Sequence, residues 1–295
     1  MTYSLVAREP DTGRLGVAVQ SHWFSVGSVV SWAQPGVGAV ATQSVAEITY
    51  GPRGLELMAA GASAQDALER LTGEDPGASV RQVAMVDGTG QVAVHTGADC
   101  VQAAGHVTGH QVSCQANMMR SDRVWPAMLE AFQAAEGELA WRLLAALEAA
   151  EAAGGDTRGK QSAALLVVPP EGESWRRQVS LRVEDHPEPL PELRRLLGLH
   201  AAYDLAGQAD ELSAAGRHQE AAQLYQQAAE LQPGNHELCF WAGLGAAQAG
   251  DADRGLADVR AAIAAHAGWR LMLERLPEAL APTAPVVLAR LRESE

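Results

Sequence analysis

The chain has 295 residues, 22 of them Lys or Arg against 36 Asp or Glu, for a formal charge of −14. That length suffices for the core of one large domain or two moderate ones, and an acidic balance without a basic patch disfavours nucleic-acid binding. Three scattered cysteines, Cys100, Cys114 and Cys239, give no disulfide framework. No apolar run approaches the roughly 20 residues of a membrane span, and the start lacks a basic segment followed by an apolar one, so a soluble, cytoplasmic protein is expected.

Residues 2–8 read as a strand that opens on a hydroxyl, Thr2. Methionine ahead of a small residue is normally trimmed, and a threonine left at the terminus carries both a nucleophile and an amine of pKa about 8, a usable base at neutral pH. The plain alternative is a β-branched residue starting an edge strand. Residues 15–20 form a second strand across the turn 9–14. The runs 26–33 and 37–42, divided by Gln34, Pro35 and Gly36, extend the pattern to a four-stranded antiparallel meander.

Helical spacing follows, with Leu55, Met58 and Ala59 on one face, and a second helix starts at the N-cap candidate Ser63. Residues 81–86 and 91–96 flank an Asp-Gly hairpin signal at Asp87 and Gly88, and 110–115 is another strand. Asp122 is placed to cap a helix carrying Val124, Met128 and Phe132, a further helix spans 138–153, and strands 162–168 and 178–183 close the unit. This order predicts an α+β fold, a four-layer α/β/β/α sandwich, over residues 1–185; a two-layer α+β sheet is the alternative.

Pro187, Pro189 and Pro191 mark a linker over 186–200. Beyond it, 201–295 resembles tetratricopeptide repeats: Gly216 recurs as Gly250, 34 residues later, and Ala221, Tyr225 and Pro233 stand where Gly255, Val259 and Ala267 stand in the next copy. So short an array usually needs a neighbouring surface, so a protein partner or a homo-oligomer is expected.

Antiparallel pairing brings Gln20, Ser21 and His22 towards Thr2, a set able to orient an amine. Backbone amides of the run 36–44, ending in Gln43 and Ser44, are candidate donors to an oxyanion, or the small residues there reflect close sheet packing. His95, His106 and His110 with Asp99, Cys100 and Cys114 match no zinc spacing, and Lys160, the only lysine, precedes a strand where a phosphate-binding loop would precede a helix. Neither metal nor cofactor is expected.

The segments 1–8, 15–19, 36–43, Tyr50-Gly51-Pro52, Gln115-Ala116-Asn117 and 155–164 together resemble the domain of unknown function 1028 family, within the N-terminal nucleophile (Ntn) hydrolase superfamily. The resemblance covers residues 1–185 and implies the same four-layer sandwich. It implies hydrolysis of a small or peptide-like amide through an acyl-enzyme on Thr2, with its own α-amine as base. Ser21 would support Thr2; Asn117 and the amides near Gln43 and Ser44 would hold the oxyanion; Asp156 and Lys160 would shape the site; His22 and Gln115 would line it. The opening is also similar to a proteasome catalytic subunit, but no lysine follows Thr2 before Lys160. Many relatives carry Gly where this chain has Ala116, and Arg where it has Lys160. A non-catalytic scaffold that uses the repeat segment for protein interaction is the second reading.

Overall fold

The computed structural model describes residues 2–293. A mixed α/β region is followed by an all-helical one, and the chain divides into two compact units after Leu197. The first contains β1 (Thr2–Arg8), β2 (Leu15–Ser21), a single helical turn α1 (Gly27–Val30), β3 (Ser31–Gln34) and β4 (Gly38–Ser44). Two helices follow, α2 (Tyr50–Ala59) and α3 (Ala64–Glu74), then β5 (Arg81–Asp87), β6 (Val92–Thr96), β7 (Gly105–Gly109) and β8 (Val112–Asn117). Next come α4 (Val124–Ala134), α5 (Leu139–Ala152), β9 (Ser162–Val168) and β10 (Val179–Val183).

The strands form two antiparallel sheets, one ordered β10-β9-β2-β1-β8-β7 and the other β3-β4-β5-β6. Side chains alternate across each strand, and the burial follows. Val6, Val17, Val19, Ala39, Ala41, Ala84, Val86 and Ala164 make a core shared by the two sheets. The opposite face of the larger sheet, with Tyr3, Leu5 and Cys114, packs on Met128, Leu143 and Leu147 of α4 and α5. Val40, Val83 and Met85 of the smaller sheet pack on Leu55, Met58, Leu68 and Leu71 of α2 and α3. Each fully buried Leu or Met here contributes about 1.5–3 kcal/mol over an exposed one.

The expected meander is not formed: β1 and β2 lie in the larger sheet, β3 and β4 in the smaller. The run 26–33 is too short of a continuous strand because it begins with α1, which carries the chain from one sheet to the other. Gly27 makes that crossing close, since a Cβ there would stand 2.3 Å from the Ala164 Cβ. Residues 105–109, bounded by Gly105 and Gly109 and given no strand in the sequence reading, form the edge strand β7; a Cβ on Gly105 would lie 2.6 Å from the Trp125 ring, so the glycine serves packing. Ser63 caps α3, accepting from the Asp66 amide at 3.1 Å, whereas α4 begins at Val124 without a side-chain cap from Asp122.

The proline-rich stretch enters a long helix, α6 (Pro189–Ala214). Pro189 and Pro191 occupy its first turn, where a missing N–H leaves no helical bond unmade. The second unit continues with α7 (His218–Leu231), α8 (His236–Gln248), α9 (Ala252–Ala265), α10 (Gly268–Arg275) and α11 (Ala284–Glu293). Phe240, Leu244, Val259, Ala262 and Val287 form its main core. Among the described residues no helix is long and apolar enough to cross a membrane.

Asp87 joins the β5–β6 hairpin to α3. Its carboxylate accepts from the Ala64 amide at 3.0 Å, the Gln91 amide at 3.0 Å and the Thr89 hydroxyl at 2.7 Å. Burial pushes its pKa up, but these donors outweigh burial and hold it below the usual carboxylate value. Its contribution to stability is therefore complete above the unfolded-state pKa of about 3.9 and is lost as the pH falls through the lower folded-state value. Asp87→Asn should be less stable at neutral pH and should lose less further stability between about pH 4 and pH 2 than the parent, as followed by urea unfolding at each pH; equal acid sensitivity of the two chains would contradict this.

Candidate active site

Thr2 begins β1 between two partners in register, Ser21 on β2 and Asn117 on β8. Its hydroxyl shares a 3.0 Å hydrogen bond with the Ser21 hydroxyl, and its side chain is buried on the face shared by the two sheets. Because β1 alternates, Ser4 and Val6 share that face while Tyr3 turns to the opposite one. The end of the space between the sheets is thus polar, and its middle is apolar.

A network of amides and hydroxyls holds this end. Gln43 of β4 donates from Nε2 towards the Thr2 carbonyl at 3.3 Å, Gln82 Oε1 at 2.7 Å and the Gln115 carbonyl at 3.4 Å. Its Oε1 accepts from Ser4 Oγ at 2.6 Å, and Gln115 Nε2 donates to the same Ser4 Oγ at 2.7 Å. Ser113 Oγ donates to Gln115 Oε1 at 2.9 Å. Gln82 Oε1 accepts a second bond, from Asn117 Nδ2 at 3.0 Å, while Gln82 Nε2 donates to the Ala116 carbonyl at 2.9 Å and Thr96 Oγ1 at 3.0 Å. With two hydrogens and three acceptors in reach, the Gln43 amide is fully used in holding the strand ends.

Beyond Thr2, residues 154–160 bridge the two flanking strands. Asp156, nearly inaccessible, accepts the His22 amide at 3.1 Å on the β2 side and forms an isolated β-bridge with Met119 on the β8 side. Thr157 Oγ1 donates to the Met118 carbonyl at 2.9 Å. The Asp156 carboxylate also accepts the Arg158 amide at 2.8 Å and pairs with its guanidinium at 3.2 Å. A buried anion with a cationic partner thus stands past the end of β1.

Among the expected residues, the structure brings together Thr2, Ser21, Asn117, Gln43 and Gln115, with His22 and Asp156 joined to each other beside them. Lys160 lies behind β1, paired with Glu188 at 2.6 Å and near Glu151 at 4.0 Å; Glu151 in turn accepts the Tyr3 hydroxyl at 2.8 Å. Ser44 ends β4 with φ 73°, and no hydrogen bond of its hydroxyl to this network occurs among the described residues. Met118, directly after Asn117, also holds a left-handed backbone, φ 59°. Asn117 Oδ1, His22 Nδ1 and both ends of the Gln20 amide are among the buried groups that have no hydrogen-bond partner among the described residues.

Sequence reading missed Gln82, Ser4, Ser113 and Arg158. For Gln82 a signal existed: it alternates with Ala84 and Val86 on the inward face of β5, where a long amide needs a polar partner. Two surface clefts, of about 180 Å³ around Tyr50 and Asp75 and about 450 Å³ around Trp32 and Leu181, are lined by none of the Thr2 network. Replacing Gln82 with Leu removes the acceptor of the Asn117 amide and a donor to the Ala116 carbonyl, and leaves the Gln43 amide with only its two longer acceptors, so a loss of about 2–5 kcal/mol is expected in denaturant unfolding; a loss under about 1 kcal/mol would show the network to be dispensable.

The model of a family of unknown function, DUF1028, matches residues 2–193 and so runs past residue 185 into α6. The crystal structure of protein SPO2555 from Silicibacter pomeroyi, which carries the same family model, is 34% identical, covers 66% of this chain and 87% of its own, and gives a TM-score of 0.61. Anbu, an ancestral beta-subunit from Yersinia bercovieri, is 13% identical over 66% of this chain and 93% of its own, with a TM-score of 0.34. No curated protein matches the chain. With two-thirds of its length matched by the family model and a relative of that family sharing its fold, the chain belongs to the DUF1028 family of unknown function.

Proposed function

We propose that residues 1–185 form an Ntn-type four-layer α/β/β/α sandwich that hydrolyses a small or peptide-like amide, with Thr2 as the nucleophile. The supporting observation is the setting of Thr2: a hydroxyl bonded to Ser21 at the end of a central strand, with the Asp156 loop bridging both neighbouring strands beyond it. The reading requires removal of Met1, which lies outside the described residues. The α-ammonium of an exposed Thr2 would then face the Asp156 carboxylate, with Asn117 Oδ1 as a second acceptor awaiting a donor.

In this mechanism Thr2 Oγ1 attacks the amide carbonyl carbon while its proton passes to the α-amine. The resulting oxyanion is held by Asn117 and backbone amides near Gln43 and Ser44, where left-handed residues redirect the chain at a cost of about 1–3 kcal/mol each. The ammonium then protonates the leaving nitrogen as the C–N bond breaks, and water hydrolyses the ester to release the acid and restore Thr2. Ser21 and His22 orient the reacting groups, Gln43 and Gln115 fix the strand ends, and Lys160 acts from behind β1 through Glu151 and Tyr3.

Residues 201–295 are proposed as a tetratricopeptide-like segment that docks a protein partner or a second copy. The equivalent positions Ala221, Tyr225 and Ala228 and Gly255, Val259 and Ala262 are all buried, and Gly216 and Gly250 both hold left-handed turns, φ 75° and 98°.

Intact mass and N-terminal sequencing should find Thr2 exposed, and a β-lactone probe should acylate it; retained Met1 or an unlabelled, folded chain would end this mechanism. Activity should rise with pH through the amine pKa, about 8 in an unperturbed chain. Asp156→Asn removes a charge that favours the ammonium and should move that limb to lower pH, whereas Arg158→Gln should move it higher. A limb that stays fixed in both variants would contradict the placement of Asp156 beside the amine.

A further inference from the structure

Three loops lie at the Thr2 end of the sheets; two leave strands tied to Thr2, and the third is bonded beside its partner Asn117. The segment 22–26 follows Ser21, whose hydroxyl bonds Thr2. The segment 45–49 follows β4, from which Gln43 reaches the Thr2 carbonyl. The segment 97–104 is attached beside Asn117, because the Met118 amide donates to the Val101 carbonyl at 2.9 Å.

Each of these loops exposes large apolar side chains. Trp23 is 60% and Phe24 63% exposed, and Val45, Ile48 and Val101 are exposed as well. In residues 2–197 the sole other exposed large hydrophobic residue is Trp175, in the segment between β9 and β10. Scattered single exposures need no explanation, but concentration around one polar end marks a binding surface.

We infer that these three loops form an apolar recognition rim, and that the substrate is an amide carrying bulky apolar groups beside the bond presented to Thr2. This rests on the hydrolase reading above and specifies its substrate class. The rim residues come from three separate segments, as the adjacent pair Trp23 and Phe24, Val45 and Ile48 on either side of Ala46 and Glu47, and Val101 alone, which divides the surface into patches of one or two side chains around one hydroxyl. A stable protein interface needs a continuous face of about 800 Å² on each side, so a short ligand with separate apolar groups fits better than a second copy. Burying such groups against Trp and Phe supplies affinity, and the polar network below supplies orientation.

The test uses the full chain carrying Thr2→Ala, so that binding is read without turnover. Two uncharged peptides, acetyl-Leu-Phe-Leu-amide and acetyl-Ser-Asn-Ser-amide, are titrated calorimetrically. The apolar peptide should bind at least about tenfold more tightly. Trp23→Ala and Phe24→Ala should each remove most of that preference, whereas Trp175→Ala should leave it intact. Equal binding of the two peptides, no binding of either, or the same loss in Trp175→Ala overturns the rim. If Trp23→Ala instead lowers the mass of the particle in solution without changing peptide binding, a second copy covers these loops and the inference is overturned. Hydrolysis by the unsubstituted chain is assayed separately: selective binding without any hydrolysis keeps the rim and removes the Thr2 reaction.

Discussion

The Gln82 amide is the constraint on which the Thr2 end of the molecule depends. One planar group on β5 accepts from β4 and β8 through Oε1 and donates to the Ala116 carbonyl and Thr96 through Nε2. Primary amides suit this position because they donate and accept at once, so a string of them satisfies itself without charge. Gln43, oriented by Gln82, in turn holds the Thr2 carbonyl. The position of the threonine is therefore set from the opposite sheet as well as from its own neighbours.

Strand alternation gives β1 two chemically separate sides. Thr2 and Ser4 face the amide network, while the Tyr3 hydroxyl donates to Glu151 on the helical side. Burial, then the nearby Glu151 and Asp156 carboxylates, raises the Tyr3 pKa well above its ordinary value and keeps the phenol protonated. Lys160 belongs to this second side through Glu151 and Glu188. The Lys160 ammonium thus stands on the side of β1 opposite the Thr2 hydroxyl, linked to the strand only through Glu151 and Tyr3.

Much of the architecture was legible where local chemistry is decisive. The Asp87-Gly88 turn, the Ser63 cap and the short strand-like runs of β1, β2 and β9 all gave the right elements, because each depends on neighbours in the chain. The β1–β2 pairing also gave the nearness of Ser21 to Thr2. Sheet membership was hidden, since β3 and β4 have strand patterns that fit either sheet and the choice is made by α1 packing on β9. β7 was hidden for a similar reason: glycine reads as a break in the sequence but here makes room for Trp125. The glutamine network escaped because its members come from β4, β5 and β8, and only tertiary contact joins them.

The shared core between the sheets contains no aromatic residue; it is chiefly alanine and valine, with leucine at its margin. Such small side chains bring the two backbones close, and that closeness lets Gln43, anchored on one sheet, reach a carbonyl on the other. The thickness of the apolar middle thus acts as a gauge block for the polar end. A bulkier residue at Ala84 or Ala39, several residues from Thr2 along the strands, would wedge the sheets apart and lengthen a contact it never touches. The volume permitted at those alanines is bounded by the reach of one glutamine side chain.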